Sequence, residues 1–81
     1  MHELANLLEV WLRLLVKAPE QVRVRLHDRD PSRPTRLIVS VSQEDRGYVF
    51  GKRGRTIAAL RTVVDAIARR RGLRCRLEVV E

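Results

Sequence analysis

Gly47-Tyr48-Val49-Phe50-Gly51-Lys52-Arg53-Gly54-Arg55-Thr56-Ile57 is the stretch on which the reading of this chain turns. Gly51 and Gly54 stand three residues apart with Lys52 and Arg53 between them. Glycine at both ends permits a tight turn and lets backbone amides approach a ligand with no Cβ in the way. The residues that follow read as a strong helix, and the free N–H groups and positive dipole end of a helix N-terminus favour anions. Lys52 and Arg53 at the tip of the turn add two cations, and Arg55 adds a third. The bland alternative is a helix–helix turn that happens to be basic. A P-loop is excluded, because Gly-x-x-x-x-Gly-Lys-Ser/Thr is absent and no strand precedes the turn.

Working outward, residues 55–70 form the helix that the turn feeds, with Ile57, Leu60, Val63, Val64 and Ile67 as its expected buried stripe and Gly72 where a C′ glycine belongs. Residues 73–80 then alternate as a strand, with Leu73, Cys75, Leu77 and Val79 opposite Arg74, Arg76, Glu78 and Val80. On the other side of the turn, Ser42 followed three residues later by Asp45 is a capping signal for a short helix over about residues 43–49. Residues 36–42 read as a strand with Leu37, Val39 and Val41 inward and Ser40 and Ser42 outward. Ile38 breaks that pattern as a sheet-surface, interface or groove-lining residue. Residues 28–35 hold two prolines and four charges and make a loop. Val22, Val24 and Leu26 alternate with Arg23, Arg25 and His27 in a strand over 21–27. Leu4, Leu7, Leu8, Trp11, Leu12 and Leu15 carry a period of 3.6 over residues 3–17, a helix that Pro19 ends.

The order is therefore α-β-β-α-α-β. With 81 residues and no repeat, low-complexity tract or linker, the expectation is one α+β domain over residues 1–81. Its helices would cover one face of a three-stranded sheet.

Composition narrows the function. The net charge is +7, and it is uneven: residues 1–50 carry eight basic and seven acidic side chains, whereas residues 51–81 carry nine and three. A basic half beside a balanced half points to a polyanion, and fifteen of the seventeen cations are arginine, which grips phosphate bidentately. One cysteine excludes an internal disulfide. No apolar run is long enough to span a membrane, and Met1-His2-Glu3 lacks the basic start of a signal peptide, so a cytoplasmic location is expected.

Catalysis has little support. Two isolated histidines and one cysteine do not make a zinc site, so no metal or cofactor is expected. Cys75 falls on the inward face of a strand as a small buried thiol, and no nucleophile-elbow or metalloprotease pattern occurs.

Alone, a Gly-x-x-Gly is weak. In its setting, residues 47–57 resemble the signature of KH domains: a hydrophobic pair, Gly-x-x-Gly, then an aliphatic residue near the next helix start. The element order resembles the type II arrangement of that fold. The length, the short leading helix and the run Arg55-Thr56-Ile57-Ala58-Ala59-Leu60-Arg61-Thr62 resemble the small single-domain bacterial KH proteins of the KhpA type. Phe50 stands where that family usually has Ile or Val.

The resemblance implies a non-enzymatic, RNA-chaperone-like or post-transcriptional role on single-stranded RNA. Gly51, Lys52, Arg53 and Gly54 would clamp the backbone of about four nucleotides, with Arg55 beside them. Val49 and Ile57 would floor the groove on the helical side, and Leu37 to Val41, Val39 among them, on the strand side. Residues 28–35 would be the loop at its rim, bringing Arg29 and Arg33 to the nucleic acid. Tyr48 would stack on a base or lie buried behind the turn. The resemblance also brings protein partners: a second copy of the chain, or a larger RNA-binding protein of the KhpB/Jag type. A dimerising scaffold with a residual KH loop is thus the competing reading, with Val10, Leu14, Ile38 and Val80 as its contact residues. Membrane-surface binding ranks last, since the first helix carries only Arg13 and Lys17 as cations.

Two further groups keep two readings each. Arg69-Arg70-Arg71 is either a dipole complement in the last helical turn or a phosphate patch ~24 Å along the helix from the Gly-x-x-Gly turn. Arg23, Arg25, Arg74 and Arg76 gather on the open sheet face, as a second electrostatic surface or simply solvated.

Overall fold

Leu4, Leu8 and Leu12 recur every fourth residue, the spacing that stacks side chains on one face of a helix, and all three are fully buried. They belong to α1 (His2–Leu15), whose last turn gives way to extended backbone at Val16. A single 3₁₀ turn, Pro19–Gln21, leads into β1 (Arg23–His27). The remaining elements are β2 (Thr35–Ser40), α2 (Gln43–Phe50), α3 (Arg55–Arg70) and β3 (Cys75–Val79). The computed structural model describes residues 1–27, 32–51 and 55–80. Arg29, Lys52, Arg53 and Gly54 of the expected site lie outside them.

The sheet is mixed, in the order β1-β2-β3. β1 runs antiparallel to β2 with Val24 opposite Val39 and Leu26 opposite Leu37. β3 runs parallel to β2 with Leu77 opposite Leu37 and Val79 opposite Val39. Because side chains alternate along a strand, these aliphatic pairs share one face, and all three helices contribute to the core built upon it. α1 packs on β1 and α3, and α2 packs on α3. This is the α+β order expected, with the helices on one side and the arginines of the strands on the other.

α3 ends as glycine dictates. Gly72 takes a positive φ of 67°, its N–H donates to the Arg69 carbonyl, and the Leu73 N–H reaches back to Ala68 at 2.8 Å. That pair of bonds is a Schellman cap.

Six side chains depart from the expected pattern. Val63 is 44% exposed, and Ala68 takes the buried place on α3. Leu7 and Leu15 flank the α1 stripe and are exposed, while the small Ala5 is buried where α1 comes close to its neighbours. Ser42 does not point outward from a strand. β2 stops at Ser40, and Ser42 is buried as the N-cap of α2.

Candidate nucleic-acid interface

The described residues on either side of 52–54 are firmly placed. α2 begins at Ser42, whose hydroxyl accepts from the Asp45 N–H at 3.1 Å and donates to the Asp45 carboxylate at 2.8 Å. The same carboxylate accepts from the backbone N–H groups of Lys17 and Ala18, at 2.9 Å each. Asp45 is thus buried with both oxygens satisfied, and it pins the start of α2 to the segment leaving α1. The Lys17 backbone donor, with help from Ala18, Ser42 and the Lys17 charge, holds its carboxyl below the usual carboxylate range despite the opposing effect of burial.

From that anchor α2 runs two turns to Gly51. The Gly51 N–H donates to the Gly47 carbonyl at 2.9 Å and closes the helix. At φ −86° the backbone of Gly51 suits any residue, so handedness is not what requires glycine. A Cβ there would instead drive into the Gly47 carbonyl oxygen, far inside contact distance. The first glycine of the turn is fixed by close approach. Gly47 itself lies exposed with open space where its Cβ would be.

Val49 on α2 and Ile57 on α3, on either side of residues 52–54, are both core residues. Val39, on the central strand, is fully buried as well. All three therefore lie beneath the surface. Arg55 is exposed at the first position of α3, and Arg33 is exposed in the turn ahead of β2. Tyr48 is 48% exposed, which answers the question of its burial, and Phe50 is half-buried against the core. Sequence reasoning read Asp45 as a cap but missed its grip on Lys17 and Ala18, some 28 residues away in the chain.

Elsewhere, Arg71 pairs with Glu3 and joins the end of α3 to the start of α1. Cys75 is half-buried, and burial pushes its thiol up, away from the reactive thiolate. Among the described residues no three His, Cys, Asp or Glu side chains gather as metal ligands, and no helix is long and apolar enough to cross a membrane.

A mixed three-stranded sheet covered on one face by three helices, the second of them closed at Gly51 where the Gly-x-x-Gly motif of the sequence begins, is the architecture of a KH domain. The family described as KhpA/KhpB, KH domain, matches residues 5–79, and the chain belongs to it. It is 43% identical over 67 residues to the RNA-binding protein KhpA of Halalkalibacterium halodurans, covering 83% of this chain and 86% of that one. Over the full length of both chains it is 33% identical to the RNA-binding proteins KhpA of Borreliella burgdorferi and of Aquifex aeolicus. No solved structure gives a significant match.

Proposed function

We propose that this chain is a non-enzymatic protein that binds single-stranded RNA at the Gly51-Lys52-Arg53-Gly54 turn and the groove beside it. The observation that carries the reading is the steric demand for glycine at position 51, at the end of a helix pinned by Asp45. It delivers the chain, with no side chain in the way, to two cations and the N-terminus of α3. The names of the relatives supply the ligand class, since those proteins are called RNA-binding. In this reading Lys52, Arg53 and Arg55 neutralise phosphates, the amides near Gly54 face the backbone, and Arg29 and Arg33 lie at the rim. Val39, Val49 and Ile57 hold the floor rigid from below. The role is RNA-chaperone-like or post-transcriptional, in the cytoplasm, and residues 1–81 act as one KH domain.

The test is fluorescence anisotropy on a short single-stranded RNA and a matched DNA duplex at two salt concentrations. It compares the wild type with Lys52→Asp/Arg53→Asp, whose folding is checked by circular dichroism. A folded variant that loses the single-strand binding supports the turn as the site; equal binding by both proteins removes it.

A second reading is favoured by one observation: α1 leaves Val10 and Leu14 exposed, Leu14 to 79%, beside Leu7 and Leu15. Single exposed aliphatics are ordinary, but four on one short helix fit a protein contact, either a second copy or a larger KhpB-type partner. Light scattering of the wild type and of Val10→Ser/Leu14→Ser separates the two: a dimer that the substitutions dissolve supports the contact.

A further inference from the structure

The open face of the sheet carries charge in an order that packing does not require. Side chains of one parity share that face, so Arg23, Arg25 and His27 of β1, Arg36 of β2, and Arg76 of β3 lie together, with Arg74 just before β3. In the register of the strands, His27 stands opposite Arg36, and Arg36 opposite Arg76. Arg36 and Arg76 are like charges directly across neighbouring strands, a placement that destabilises a sheet. The described residues of the three strands offer one carboxylate against them, Glu78, which forms a two-pronged pair with Arg36. Arg25, Arg74 and Arg76 are exposed and make no ion pair among the described residues.

The positive surface continues round the β3 edge. Two open hollows lie between α3 and β3, of about 290 and 320 Å³, and arginines of α3, of β3 and of the approach to β3 line them: Arg69 and Arg74 in one, Arg61 and Arg76 in the other, with Asp65 in both. The exposed aliphatics gather mainly on the helices; the described strands carry no Phe, Tyr or Trp, and on this face their one aliphatic is Ile38, half-buried between Arg25 and Glu78. The face therefore offers too little apolar surface for an apolar protein contact. Arginine forks outnumber the apolar side chains of this face, and such forks suit phosphate oxygens.

We infer that the open sheet face, with the β3 edge, is a second contact surface for the RNA backbone. It takes up a strand that continues beyond the nucleotides gripped at the Gly-x-x-Gly turn. The inference rests on the RNA-binding reading above but uses none of its residues. It adds affinity without adding sequence preference, because phosphates carry no base identity.

The experiment uses the full chain and two single-stranded RNAs. One has about five nucleotides, little more than the roughly four that a Gly-x-x-Gly turn grips, and the other about twenty. Arg25→Gln/Arg74→Gln/Arg76→Gln is expected to bind the short RNA as the wild type does. On the long RNA it should bind roughly tenfold more weakly, with a salt slope shallower by up to about 2 log units per log unit of salt. Replacing the same three residues by lysine should restore the slope. Unchanged affinity and slope on the long RNA overturn the inference. If Lys52→Asp/Arg53→Asp loses both RNAs while the glutamine variant loses neither, the turn stands and the sheet surface falls. If the turn variant binds both and the glutamine variant alone loses the long RNA, the sheet surface stands and the turn falls. If the wild type binds neither RNA, both fall. Ultraviolet cross-linking of the wild type to the long RNA needs no substitution. Adducts on β1 and β3 are expected, and adducts confined to α2 and α3 overturn the surface.

Discussion

The two faces of the sheet are built from the same three strands and answer to different physics. The inner face presents Val24, Leu26, Leu37, Val39, Leu77 and Val79 to the helices, and its fit to them stabilises the fold. The outer face presents arginines to water, and like charges in register make it, if anything, a liability to stability. Stability and charge are thus separated by nothing more than strand alternation. Substitutions should separate them as cleanly.

The largest effect is expected inside. Leu12→Ala removes a fully buried leucine from the α1 stripe, and such truncations cost ~2–5 kcal/mol. In an 81-residue chain that is a large share of the total, so urea denaturation should show a severe fall in midpoint or no folded baseline. Arg25→Gln on the outer face should move the same midpoint by under ~0.5 kcal/mol. Equal effects would dissolve the contrast between the two faces.

Next come the glycines, which sharpen the comparison where α2 ends. Gly51→Ala must push its Cβ against the Gly47 carbonyl, a local overpacking expected to cost ~1–3 kcal/mol. Gly47→Ala, four residues earlier with nothing within 4 Å, should leave stability unchanged or raise it by up to ~1 kcal/mol, since alanine is the better helix former. Thermal melts of the two variants should therefore move in opposite directions. At the far end of α3, Gly72→Ala places a Cβ in the left-handed region and should cost ~1–2 kcal/mol, with no clash involved.

These positions also show what the sequence made legible. The bounds of α3 were readable from Gly54 and Gly72, because helix ends are written in local chemistry. The strands were readable from alternation, which also separated Leu37 and Leu77 from Arg36 and Arg76. What could not be read was how wide each buried stripe would be. Val63 and Ala68 lie five residues apart on one helix, and only the placement of α1 and α2 decides that the smaller one is buried. The grip of Asp45 on Lys17 and Ala18 was invisible for the same reason: its partners are backbone amides far along the chain, with no side-chain identity to betray them. For the site, the glycines and cations were legible as a motif. The place of Val39 and Val49 beneath the surface was not, because hydrophobicity marks burial without saying which residues will line a groove.

The finest distinction between interior and open face is electrostatic, and acid reads it. Asp45 and Glu78 both titrate below the usual carboxylate range in the fold, for different reasons: Asp45 because buried backbone N–H groups donate to it, Glu78 because the exposed Arg36 does. A depressed folded value means each contributes stability that is complete above the unfolded pKa of about 4 and is lost as pH falls through that value and then through the folded one. Thermal melts from neutral pH to pH 2 should therefore decline on the acid side, and less steeply in Asp45→Asn or Glu78→Gln. Salt then tells them apart. The Arg36–Glu78 pair faces water, so the effect of Glu78→Gln should fade as ionic strength approaches ~1 M, where the Debye length is ~3 Å. The donors to Asp45 sit inside the fold at hydrogen-bond distance, so the effect of Asp45→Asn should persist at the same salt. An acid response in Asp45→Asn that salt abolishes would place that carboxylate with the outer face, against the geometry of its buried partners.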